Sequence, residues 1–300
     1  MITTLVPDLN FKTPAKSIDT CWPYLAVSLP SDTISIFSLI HPHKPIAVSP
    51  LINSCDITRF YKFPFLFCGT GEGILISLNI CLETQSIKIQ STHKIHEIGI
   101  QDIVLQEDKA FTCGIDNYVH IYQVIECPNE ISLVKKHSFK AHNGWVTGMC
   151  LSDKYLLTQG SDSRVSFWAL DTYKKKMEVR FEQEEQPYSA IWRPLFKAPY
   201  FFVPNLKSEV NGEACLTIIR EEDLKLIQIS FEDLIVSGHT NKKRRFNRKE
   251  WMIDVQGYGV LGQYIIVASM TLVMLFTDFD FELVDRFYLE DGDEVVVIEI

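Results

Sequence analysis

Long apolar runs are missing from this chain. No stretch reaches the roughly 18 consecutive apolar residues that a membrane-spanning helix needs, so none is expected. The opening Met1-Ile-Thr-Thr-Leu-Val-Pro7 lacks a basic segment followed by a long apolar one, so no secretory leader is expected either. Paired cysteine motifs are also missing. The eight cysteines stand at 21, 55, 68, 81, 113, 127, 150 and 215 without a CxxC. Cys55, Cys68, Cys113 and Cys150 fall inside apolar, strand-like runs, which predicts reduced, buried thiols in a reducing compartment.

Catalytic signatures are absent too. There is no serine-nucleophile elbow, no HExxH and no phosphate-loop lysine. Gly69-Thr-Gly-Glu-Gly73 is glycine-rich, but strand-like Ile74 to Leu78 follows it. A phosphate loop needs a helix there, so that its first amides meet the anion; this segment reads as a hairpin turn. His41-Pro-His43 and His93-x-x-His96 have no cysteine or carboxylate pair at ligand spacing and read as loops. No catalytic residue, cofactor or metal is expected. A net charge of −9 argues against a surface generally coated by nucleic acid, and 46% apolar residues indicate a globular chain.

What is present is a rhythm of short strands. It is clearest from His142 to Asp171. Trp145 to Leu151, Tyr155 to Thr158 and Val165 to Trp168 are apolar or β-branched runs, and Ser152-Asp-Lys154 and Gly160-Ser-Asp-Ser163 are turn formers between them. Met177 to Phe181 reads as a fourth strand. Sliding the chain by 46 residues places His142 on His96, Val146 on Ile100, Thr158 on Thr112, Gly160 on Gly114, Asp162 on Asp116 and Trp168 on Tyr122. Polar and aromatic positions recur in register, so the match goes beyond shared apolarity.

The spacing His-x3-Val/Ile, then Thr-x-Gly-x-Asp, then an aromatic six residues after the Asp, resembles the WD-repeat family of β-propellers. The resemblance is clear over about 93–171. It implies four-stranded antiparallel blades, each braced by a hydrogen-bond chain of His, Asp, Thr and Trp. Those residues would be His142, Asp162, Thr158 and Trp168 in one blade, and His96, Asp116, Thr112 and Tyr122 in the other, with a phenol in place of the indole. Such a chain satisfies polar groups that are costly to bury alone, so its role is structural. His142 with Asp162, which in isolation resembles an acid–base pair, is read the same way. Ala141 stands where the family prefers Gly, and Ala169 where it has Asp.

The rest of the chain follows the strand rhythm. Residues 18–50 form a first blade, 51–92 a second, 93–140 and 141–185 the two clear repeats, 186–231 a fifth and 250–289 a sixth. Residues 1–17 read as a lead-in or edge strand. Val295 to Ile300 is one further strand, able to close a ring by pairing with the first blade. The expectation is all-β: one propeller domain over 1–300 with six visible blades, the family's commoner seven staying open. The chain stops within a strand, so a fragment also stays open.

Residues 232–249 interrupt the pattern. Lys242, Lys243, Arg244, Arg245, Arg248 and Lys249 give six basic residues in eight. Three readings stand: a nuclear localisation signal, a contact for nucleic acid or an acidic partner, and a solvated loop. The resemblance also puts Trp145, Asn143, Tyr118 and Arg164 on the partner-binding rim, and Trp, Tyr and Arg are common hot-spot types. Packing on the neighbouring blade is the other reading of Trp145. The function expected is a non-catalytic scaffold or adaptor in a eukaryotic intracellular complex, located in nucleus or cytoplasm, with protein partners and no membrane. The alternative is a nuclear RNA- or chromatin-associated subunit that supports a separate enzyme.

Overall fold

Apolar runs of five to eight residues, broken by turn formers, are too short for stable helices and long enough for strands. The computed structural model describes residues 15–40, 44–127, 130–180, 193–203, 215–230, 255–261, 264–269, 272–277 and 283–288. No helix occurs among them. The chain divides into two compact units, Met1–Val146 and Thr147–Ile300.

The first unit holds three consecutive meanders. The first is β1 (Ser17–Cys21), β2 (Tyr24–Ser28), β3 (Ile34–Ser38) and β4 (Ala47–Val48). The second is β5 (Cys55–Lys62), β6 (Phe65–Thr70), β7 (Ile74–Cys81) and β8 (Ser86–Lys94). The third is β9 (Ile100–Gln106), β10 (Lys109–Gly114), β11 (Tyr118–Cys127) and β12 (Glu130–Lys140). The two-residue β4 pairs in parallel with β8 at Val48 and Ser86, which joins the first two meanders into an eight-stranded sheet.

The second unit repeats the pattern: β13 (Val146–Leu151), β14 (Tyr155–Gly160), β15 (Arg164–Ala169) and β16 (Lys175–Arg180), then β17 (Leu195–Lys197), β18 (Tyr200–Val203), β19 (Cys215–Arg220) and β20 (Leu226–Ser230). A last meander is β21 (Val255–Leu261), β22 (Tyr264–Ser269), β23 (Leu272–Thr277) and β24 (Leu283–Tyr288). The fold class is therefore all-β, propeller-like, with several four-stranded antiparallel sheets and one mixed eight-stranded sheet among the described residues.

Within each unit, neighbouring meanders bury their faces against each other. Ala26, Ile34 and Ile36 of the first meet Leu66, Cys68 and Leu78 of the second. Phe67 and Leu75 of the second meet Ile103, Tyr122 and Val124 of the third. In the second unit Phe167 meets Phe201 edge-on, ring centroids 5.1 Å apart, in a cluster with Leu157 and Val203.

A salt-bridge network ties the first strands of the three early meanders together. Arg59 on β5 donates from Nε to the Ile103 carbonyl at 3.2 Å and from Nη1 to the Thr58 carbonyl at 3.0 Å. Its guanidinium lies 3.4 Å from Asp102 on β9 and 3.9 Å from Asp19 on β1. Asp19 also accepts the Phe60 amide at 2.6 Å. Burial pushes the Asp19 carboxyl up by more than Arg59 and the Phe60 and Thr20 amides pull it down.

Two expectations change. Cys55 on β5 and Cys68 on the neighbouring β6 stand opposite Thr70 and Thr58 in the register, yet are joined as a disulfide with Cα atoms 6.2 Å apart, so this pair is not reduced. The fourth strand of the second clear repeat, Lys175–Arg180, begins two residues before the expected Met177. Strand β21 runs through Gly257 and Gly259, whose lack of side chains hides it from an apolar scan. The basic segment 242–249 and the closing strand 295–300 lie outside the described residues.

Candidate functional site

The polar chain begins at a hairpin. The loops 71–73, 115–117 and 161–163 each have three residues and end on a left-handed residue: Gly73 (φ 77°), Asn117 (φ 74°) and Ser163 (φ 61°). This is the turn-plus-αL solution for three-residue hairpin loops. Asp32 (φ 57°) holds the matching place before β3. The carbonyl of the left-handed residue then accepts amides from the loop that enters the next meander. Gly73 accepts Ile95 at 3.0 Å and His96 at 3.1 Å, Asn117 accepts Ala141 at 2.9 Å, and Asp32 accepts Ile52 at 2.7 Å.

That tie delivers His96 to its partners. Its Nδ1 lies 2.9 Å from Asp116 Oδ1 and its Nε2 lies 2.9 Å from Thr112 Oγ1. An ionised carboxylate only accepts, so Nδ1 carries the proton donated to Asp116. Asp116 also accepts the amides of Glu97 at 3.0 Å and Tyr118 at 3.2 Å. Burial alone would raise its carboxyl. The hydrogen bond and charge of His96, with the two amides, outweigh burial and hold it below the usual range.

Tyr122 does not extend the chain: it makes no hydrogen bond to Thr112. Its ring is buried among Ile57, Phe65 and Val124, and burial, then the Asp116 charge, push its phenol up to about 12. In the other repeat Trp168 Nε1 donates to Thr158 Oγ1 at 2.9 Å. The indole carries a donor toward the threonine, whereas the phenol hydroxyl is placed elsewhere. His142 is buried in the first unit, and Asp162 is half-buried in the 161–163 turn of the second.

Among the partner-contact residues, Trp145 is 39% and Tyr118 42% exposed, and Asn143 is exposed. Arg164 is half-buried and engaged with Glu178 Oε1 at 2.5 Å. Two residues escape sequence reasoning: Leu51, 72% exposed, and Ile98, 50% exposed. They lie in loops 49–54 and 95–99, which precede β5 and β9 as loop 141–145 precedes β13. The equivalence shows only once the strand starts are known. Gly69 to Gly73 is the β6–β7 hairpin, as expected. His93 turns to Ser91, 3.1 Å away, while His96 turns to Asp116, so the two do not form a chelate.

His120 is a further buried residue that the repeat comparison does not single out. Its Nδ1 lies 2.7 Å from Ser138 Oγ and its ring centroid 4.4 Å from that of His96. Burial, then the neighbouring His96 and Lys135, bring it down to about 4, with Asp116 acting in the opposite sense.

No protein-family model matches the chain, and no curated protein matches it.

Proposed function

We propose that this chain is a non-catalytic scaffold of the WD-repeat propeller kind, an adaptor subunit of an intracellular complex that presents its inter-meander loops to a protein partner. The observation that carries the reading is the recurrent loop anchor. A left-handed residue's carbonyl fixes the amides of the next loop at Asp32, Gly73 and Asn117. Those fixed loops hold Leu51, Ile98 and Trp145, with Tyr118 directly after the Asn117 corner, and all four are exposed. A loop held in one conformation loses little entropy when it binds, and exposed aromatic and aliphatic anchors are what a partner surface engages. The His96–Asp116–Thr112 chain serves as a brace in this reading, although it resembles an acid–base group.

The test is affinity purification of the tagged chain from eukaryotic cells, alongside a Trp145→Ala/Tyr118→Ala variant. A partner that is stoichiometric with the parent and depleted with the variant, at unchanged thermal stability, supports the reading. A chain recovered alone, or equal recovery by both, rejects it.

A second reading has its own observation: six basic residues within 242–249 of a chain whose net charge is −9. Such a segment fits a nucleic-acid contact that releases counterions. It predicts RNA or DNA binding that weakens with salt and disappears when the six become Ser; unchanged binding rejects it.

A further inference from the structure

His120 is a buried imidazole that the brace does not need. Position 46 residues later, in the sister repeat, is Ser166, which is buried too, so a small hydroxyl residue fills that place in the same architecture. In this repeat the imidazole lies against His96 and creates a three-residue cluster. One nitrogen from each of His96 and His120 and one carboxylate oxygen of Asp116 all lie within 4.8 Å of one another.

We propose that His96, Asp116 and His120 form a binding site for a single zinc-class divalent ion. Two imidazoles and a carboxylate suit borderline ions such as Zn2+, whereas Mg2+ and Ca2+ favour all-oxygen shells. The surroundings already hold each ligand in place. Thr112 fixes the far side of the His96 ring, Ser138 fixes the Nδ1 side of His120, and the Glu97 and Tyr118 amides orient Asp116. Such second contacts orient a ligand set and select the tautomer. When the ion binds His96 Nδ1, the imidazole proton moves to Nε2, where Thr112 Oγ1 accepts it, and the ion replaces that proton between His96 and Asp116. Gly114 keeps the space open: a Cβ there would lie 2.8 Å from His96 Nδ1 and 3.1 Å from Asp116 Oδ1. With three protein ligands the ion retains a position for water or for a donor from a partner. Lys135 acts on His120 with a positive charge and opposes the ion.

The experiment uses the full chain, tag-free and stripped with chelator. It is titrated calorimetrically with Zn2+ and with Mg2+, and Co2+ absorption reads the coordination. The central variant is His120→Ser, which installs the sister repeat's residue and leaves the His96–Asp116–Thr112 chain intact. The expected result is one Zn2+ per chain, affinity lowered at least about tenfold in His120→Ser, and affinity raised in Lys135→Ser. The Co2+ complex of the parent should show a tetrahedral spectrum that the His120→Ser variant lacks. Absence of Zn2+ binding, equal binding by parent and His120→Ser, or Mg2+ bound as tightly as Zn2+ would each overturn the assignment.

Discussion

Gly73 and His96 meet through their backbones. The His96 amide donates to the Gly73 carbonyl at 3.1 Å, and a Cβ added to Gly73 would lie 2.4 Å from the His96 carbonyl oxygen. The glycine is left-handed at φ 77° and packed against main chain on the side where any other residue carries its side chain. Backbone cannot move aside as the end of a flexible side chain can.

Gly73→Ala is therefore expected to destabilise the fold by more than about 1 kcal/mol, since it adds a collision to the left-handed penalty. Asn117→Gly, at the matching corner, relieves that penalty and should be near neutral. Urea denaturation of both variants measures the contrast.

The two repeats should respond differently at their aromatic position. Trp168→Phe removes a buried hydrogen bond to Thr158 and should cost about 1 kcal/mol or more, counting the lost packing. Tyr122→Phe removes no bond to Thr112 and should cost less than about 0.5 kcal/mol. Equal losses on thermal denaturation would show that the phenol does join the chain.

Arg59→Ala leaves Asp102, 1% exposed at its side chain, without its cation, and Asp19 loses the same partner. A loss of about 3 kcal/mol is expected. Arg59→Lys should recover only part of it, because an ammonium cannot reach the two carboxylates and two carbonyls that the guanidinium fork spans. Chemical denaturation distinguishes the three chains.

His120 should make stability depend on pH. Its folded value of about 4 lies below its ordinary 6.5, so the folded state binds fewer protons between those limits. The stabilisation is complete above 6.5 and lost as pH falls toward 4, on the order of 2 kcal/mol after allowance for solvent. His120→Ser should flatten the unfolding free energy over that window. Asp116, with its lowered carboxyl, acts with the same sign at more acid pH, and Asp19, with its raised one, acts with the opposite sign.

The meanders and the positions of His96, Asp116, Thr112 and Trp168 were legible because a period of 46 residues repeats polar identities as well as apolar ones. Strand β5 was harder to see: Cys55-Asp-Ile-Thr-Arg-Phe-Tyr-Lys62 mixes charge into its apolar pattern because Arg59 reaches across to β1 and β9. The Cys55–Cys68 pairing needs the β5–β6 register, which thirteen residues of separation do not announce. His120 was hidden because only the fold stacks it on His96. Tyr122 shows the reverse problem, where an aromatic at the right spacing does not carry the donor to the right place.

The parallel pairing of Val48 with Ser86 bears on how the protein stays apart from its own copies. An outer strand with unpaired amides is a template for another chain to add a strand. At β8 part of that ladder is occupied from within by β4. The outer strands β12 and β16 carry exposed lysines, Lys135, Lys136 and Lys140 on one and Lys175 and Lys176 on the other. Crowded like charges on stacked edges repel, so colloidal stability should depend on those lysines more than on any buried contact.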